Sequence, residues 1–224
     1  MTERPLPFNA EMVRAIRDGR KTQTRRPMKA QPPARYDHIW PETPIQWLWS
    51  RSTSGEGAEQ QDLWTIPKSP FGVPGDLLWV RETWGIACST GRENLLLNLP
   101  LFEYAGRDDV DDQMYLDPGY HLVYRATHHE PIVLGKWRPN IHMPRWVCRT
   151  RLLVKRVWVE PLNSISIDDI EREGIRDGED GFDSGVMQFW ERFRDVWDSI
   201  YGDKYPWESN PWVWACEFEV QDNE

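Results

Sequence analysis

Residues 211–220, PWVWACEFEV, alternate strictly, with Trp212, Trp214, Cys216, Phe218 and Val220 on one side. Period-two alternation marks a strand that buries one face, and aromatic and β-branched residues suit that setting. The segment VCRTRLLVKRVWVE (147–160) reads as a second long strand. Its phase changes near Leu152–Leu153, which predicts a bulge or a break into two strands. DLLWVRET (76–83), entered through the turn Pro74-Gly75-Asp76, is a third. YHLVYRAT (120–127) is a fourth, with Tyr120, Leu122, Tyr124 and Ala126 on one face. No crossover helices alternate with these strands, so an antiparallel sheet or a small barrel is expected rather than a doubly wound fold.

Three helices flank the strands. NAEMVRAIRD (9–18) has Asn9 as N-cap, a stripe of Met12, Val13 and Ile16, and Gly19 as its stop. IDDIERE (167–173) follows the capping-box spacing Ser166 to Asp169 and stops at Gly174. QFWERFRDVWDSIYG (188–202) carries the apolar stripe from Phe189 to Tyr201, read as core. The fold class is α+β.

The chain has 224 residues, which suits one sizeable domain. Prolines and polar residues make 30–74 look irregular, but Trp40, Trp47, Trp49 and Trp64 lie within it. Tryptophans at that density predict an ordered insertion at about 30–72. A second insertion, acidic in RDDVDDQM, spans 88–119. No apolar run of about 18 residues is present to cross a bilayer. The opening MTERPLPFNAEM lacks an apolar signal core, so a cytoplasmic setting is expected. Cys88, Cys148 and Cys216 are too few and too widely spaced for a disulfide framework or a metal knuckle. The five histidines form no HExxH pattern, so no metal or cofactor is expected.

The net charge of −9 argues against a whole-surface grip on duplex DNA, yet it is unevenly spread. Residues 14–35 carry eight Lys/Arg against Asp18 alone, a net +7. Residues 131–159 carry seven and no acid, again +7. Residues 160–224 sum to −13. The basic segments either converge on an anionic partner or pair with the acidic third.

Phosphate loops, nucleophile elbows and Rossmann glycines are missing. What remains is GRKTQTRR (19–26): a lysine, two threonines and three arginines directly after a helix stop. Its plain alternative is a basic strand edge. NAEMVRAIRDGRKTQTRR resembles the opening helix–strand motif of the ASCH family, PGDLLWVRETW (74–84) its next strand, IEREGI (170–175) its helix end and NPWVWACEFE (210–219) its closing strand. Together these cover about a third of the chain in the family's order. The WRP…HMPRW segment resembles long phage and prophage members; such an origin places the chain in the host cytoplasm. The resemblance implies a PUA-like β-barrel, here enlarged by the two insertions. At the same motif the chain is similar to bacterial N4-acetylcytidine amidohydrolases, whose catalytic lysine, threonine and glutamate fall on Lys21, Thr24 and Glu173.

An amidohydrolase needs a nucleophile, a proton shuttle and a stabilised oxyanion. Thr24 supplies a hydroxyl. Lys21 serves as base if desolvation lowers its pKa, or as oxyanion partner if Glu173 keeps it charged and is itself the base. Glu173 stands at a helix C-terminus, against its dipole preference, which points to function or to an ion pair with Arg172 or Arg176. Lys21 and Thr24 point to opposite faces of a regular strand, so their convergence requires a loop or bulge. Arg20, Arg25 and Arg26 are expected on phosphate and Trp79, Trp84 or Trp146 on a base, with Arg145-Trp146 the preferred platform and the core the plain alternative for each tryptophan. The resulting expectation is a hydrolase of an acylated nucleoside or base. The alternatives are a non-catalytic RNA or modified-nucleic-acid binding module and a metal-independent ribonuclease, with a modified nucleoside or single-stranded RNA as partner.

Overall fold

A computed structural model describes residues 1–32, 38–43, 46–50, 64–65, 68–88, 120–128, 137–176 and 187–221. In chain order its elements are β1 (Glu3–Pro7), α1 (Ala10–Arg17), β2 (Gln23–Pro27), β3 (His38–Thr43), β4 (Gln46–Ser50), β5 (Trp64–Thr65), β6 (Leu77–Arg81) and β7 (Trp84–Cys88). They continue with β8 (Tyr120–Tyr124), β9 (Arg151–Pro161), α2 (Ile167–Arg172), α3 (Met187–Tyr201) and β10 (Trp212–Gln221). The main sheet has the order β1-β6-β9-β10-β2. Only the β1–β6 pair is parallel. The chain is therefore α+β with a mostly antiparallel sheet.

The expected closed barrel is not seen among the described residues: β1 and β2 end the strand order. The sheet nevertheless curls strongly. Laid flat, its outer strands would stand about 19 Å apart at roughly 4.8 Å per step. Instead Arg26 of β2 donates to the Pro7 carbonyl at 2.9 Å, and its guanidinium lies 5.3 Å from the Phe8 ring centroid. A side chain, not a backbone ladder, bridges the gap.

Inside the curl, Leu6, Phe8, Leu78, Val80, Leu152, Val154, Trp214, Cys216 and Phe218 pack around Val13 and Ile16 of α1. Asn9 caps that helix by accepting from the Met12 amide at 2.8 Å, and Gly19 turns out of it at φ 72°. On the outer side, Leu162, Ile165, Ile170 and Val213 pack with Phe193 and Trp197 of α3. β10 thus has both faces covered near its start, while Val220, expected inside, is 38% exposed.

Three other expectations shift. β9 is one continuous strand, and its bulge falls where Arg156 pairs Glu217 while Val154 pairs Phe218, leaving Lys155 over. That single extra residue changes the phase after Val154, so Leu152 and Val154 share a face and Val157 and Val159 resume it. β8 ends at Tyr124, and Ala126 is buried from the turn beyond it. Part of the stretch read as irregular forms a small sheet, β3-β4-β5, in which Pro41 sits on an edge strand, where a missing amide is tolerated. The second expected insertion, 88–119, lies outside the described residues apart from Cys88.

Candidate active site

The helix stop at Gly19 leaves Arg20, Lys21 and Thr22 outside regular structure before β2 begins. Lys21 N donates to Ala15 O and Thr22 N to Arg172 O, neither of them a ladder bond. A departure from strand geometry, which convergence of Lys21 with Thr24 would need, is therefore present at Lys21, whereas Thr24 stays in the β2 ladder. The departure turns Lys21 inward, 1% exposed, onto the end of α2. There its Nζ donates to Glu173 Oε2 at 2.5 Å and to the Glu173 carbonyl at 2.8 Å. Burial pushes the Lys21 ammonium below the ordinary lysine value, while the adjoining Glu173 carboxylate opposes that shift.

Glu173 caps α2, which Ser166 opens by accepting from the Asp169 amide at 3.2 Å. Gly174 follows at φ 91°. A Cβ at Gly174 would stand 3.0 Å from Ala15 Cβ and 3.1 Å from Lys21 Cβ. Glycine is required here twice over, by conformation and by contact, and it lets the helix end press against Lys21. Glu173 pairs with neither Arg172 nor Arg176. Its second oxygen accepts from Arg25 Nη1 at 3.1 Å.

Arg25 corrects one sequence reading. Expected on phosphate, it is 2% exposed and held by carboxylates: Glu160 at 2.7 Å, Asp169 at 3.3 Å and Glu173. Gln23 accepts from it at 3.2 Å. Trp158 donates to the other Glu160 oxygen at 2.7 Å, which fixes that carboxylate. Burial alone would raise the Asp169 carboxyl, but the Ser166 hydrogen bond, the Arg25 charge and Gln23 outweigh it and hold it low. Arg25 is thus the clamp that orients Glu173. Glu160 and Asp169 escaped sequence reasoning because Arg25, which they hold, is distant in the chain. The local signals were the i, i+2 spacings of Gln23 with Arg25 and of Trp158 with Glu160, each of which puts both residues on one face of a strand.

Thr24 faces Cys216 across the ladder and is completely buried. Its Oγ1 has no hydrogen-bond partner among the described residues, so it bonds neither Lys21 nor Glu173. A buried hydroxyl left unpaired costs about 1–3 kcal/mol. The Cys216 thiol is pushed up first by burial and then by the charges of Glu173 and Glu217.

Beside this cluster lies a cavity of about 270 Å³. Its lining includes Glu173, Gly174, Arg20, Arg25 and Arg26, and also Phe193, Trp197, Ile200 and Tyr201 of α3. A lining that combines charged with aromatic and aliphatic side chains suits a small ligand with an apolar body and polar edges. Arg20 is ion-paired to Asp18 at 2.9 Å. Arg145 and Trp146 are not brought here: Arg145 forks onto Glu3 at 2.8 and 3.0 Å, and Trp146 packs edge-on to Trp84 at 6.2 Å. Among the described residues no group of three His, Cys, Asp or Glu is arranged to hold a metal, and no helix is long and apolar enough to cross a membrane. Comparison of the chain with protein-family models, curated proteins and solved structures found no match.

Proposed function

We propose that the chain is a PUA-like, ASCH-type hydrolase that removes an acyl group from a modified nucleoside or base. The observation that carries this reading is the buried contact of Lys21 with Glu173 at the cavity, clamped by Arg25. Two of the three residues that the family motif singles out thus touch. The third, Thr24, adjoins Arg25 and keeps an unspent hydroxyl.

Of the two arrangements open on sequence, burial favours Lys21 as the base, with Glu173 orienting it and sharing its proton. For acyl transfer the Thr24 hydroxyl, which bonds neither Lys21 nor Glu173 in the resting structure, must first come within reach of Lys21 and of the cavity; its oxygen then bonds to the acyl carbon while its proton passes to the Lys21 amine. The C–N bond then breaks, and that proton leaves on the amine nitrogen. Water hydrolyses the threonine ester, releasing the acid and restoring the hydroxyl. No redox partner enters the balance.

The binding-module reading is favoured by one observation: Thr24 and Lys21 are both buried and neither lines the cavity, which only Glu173 of the three reaches. Release of acetate from N4-acetylcytidine separates the two. The hydrolase reading expects turnover that falls on the order of 10²-fold or more in Thr24→Ala while ligand binding survives. Binding without turnover in the wild-type chain supports the module instead. RNA cleavage that persists in chelator and disappears in Lys21→Ala supports a ribonuclease.

A further inference from the structure

Three arginines at or beside the cavity differ from Arg20 and Arg25, which are held by carboxylates. Among the described residues Arg14, Arg26 and Arg125 have no carboxylate partner. Arg14 reaches only the Ala126 carbonyl at 3.4 Å, Arg26 holds backbone oxygens and the Phe8 ring, and Arg125 lies 5.5 Å from the Trp137 ring centroid. Each keeps an unneutralised charge. Arg14 and Arg26 line the cavity that Glu173 faces. A second space of about 570 Å³ adjoins it, lined by Asn9, Ala10, Glu11, Arg14 and Arg125. Asn9, Glu11 and Arg14 border both, so the two spaces are neighbours along α1. From Ala15, against which Gly174 presses, to Ala10 is about 7.5 Å at 1.5 Å per helical residue.

We propose that this second space is an anion subsite and that the ligand carries phosphate: a nucleotide whose base occupies the cavity lined by α3 and Glu173 and whose phosphate lies between Arg14 and Arg125. The proposal rests on the nucleoside reading above. Guanidinium groups bind phosphate through paired N–H donors, and two of them lining one space fix both its charge and its position. Glu11, lining the same space, works against the anion and moderates the site.

The test is calorimetric binding of cytidine, cytidine 5′-monophosphate and a cytidine tetranucleotide to the full chain. The monophosphate or the tetranucleotide binds tighter than cytidine by on the order of tenfold, an advantage that shrinks with salt. A gain already complete in the monophosphate assigns a terminal phosphate, and a gain confined to the tetranucleotide assigns a phosphodiester. Arg14→Gln and Arg125→Gln each remove the gain, and Arg125→Gln, outside the lining of the base cavity, leaves cytidine binding unchanged. Glu11→Gln enlarges it, a change in the direction that misfolding does not produce. Equal affinity for all three ligands, or a gain untouched by both arginine variants, overturns the proposal. Phosphate preference without any acyl hydrolysis retains the subsite and sinks the hydrolase reading; hydrolysis without phosphate preference does the reverse.

Discussion

The two basic segments carry the same net charge of +7 and are put to different uses. In 131–159 three of the seven cations are taken up by acids, Arg145 by Glu3, Arg149 by Glu82 and Lys155 by Glu219, while Arg138 and Arg156 lie over the Trp84 and Trp158 rings. Arg149 also lies 3.9 Å from the Tyr124 ring centroid and so ties the β7–β8 hairpin to the entry of β9. In 14–35 Lys21 and Arg25 are buried against Glu173 at a cavity, while Arg14 and Arg26 face that cavity without a carboxylate. Charge density along a sequence reports neither outcome. Burial and the identity of the partner decide whether a cation clamps the fold or serves a ligand.

The largest effect that sharpens this contrast comes from removing one carboxylate on each side. Glu173→Gln leaves Lys21 and Arg25 buried over a lost charge and lowers unfolding free energy by about 3–5 kcal/mol in urea titration. Glu82→Gln, which takes the carboxylate from Arg149, costs about 3 kcal/mol but leaves ligand binding unchanged. Equal loss of binding in both variants would break the distinction. A smaller effect is expected from Gly174→Ala. It forces a left-handed alanine against Lys21 and costs about 1–3 kcal/mol by the same titration, with turnover falling further than stability because Lys21 shifts. The smallest effect belongs to Tyr124. It donates to the Val147 carbonyl at 2.8 Å, and burial pushes its hydroxyl up to about 12. Its contribution is fully present below the ordinary tyrosine value of 10.0 and is lost as pH rises toward 12. Tyr124→Phe costs about 1 kcal/mol at pH 8 and flattens the alkaline fall measured by denaturation.

Much of this was legible locally. The caps at Asn9 and Ser166, the stops at Gly19 and Gly174, and the alternation of β10 are set by neighbours a few residues away. Lys21, Thr24 and Glu173 were found through a motif, and the odd placement of Glu173 at a helix end was a physical hint. The β1–β6 pairing was not legible, because Arg4-Pro5-Leu6-Pro7 has no strand pattern and is held by the register of its parallel partner. Nor was the role of Arg25. A buried guanidinium looks like any other arginine until residues 135 and 148 positions away supply its carboxylates. Trp146 reads as an exposed platform beside Arg145, and its packing on Trp84 depends on the β7–β8 hairpin.

The central claim is that the first basic segment, and not the second, forms the ligand site. Backbone amide shifts mapped by NMR while N4-acetylcytidine is added test it directly. The account predicts changes at Arg25, Arg26, Glu173, Gly174 and Trp197. Changes centred on Trp79, Arg145 and Trp146 would contradict it.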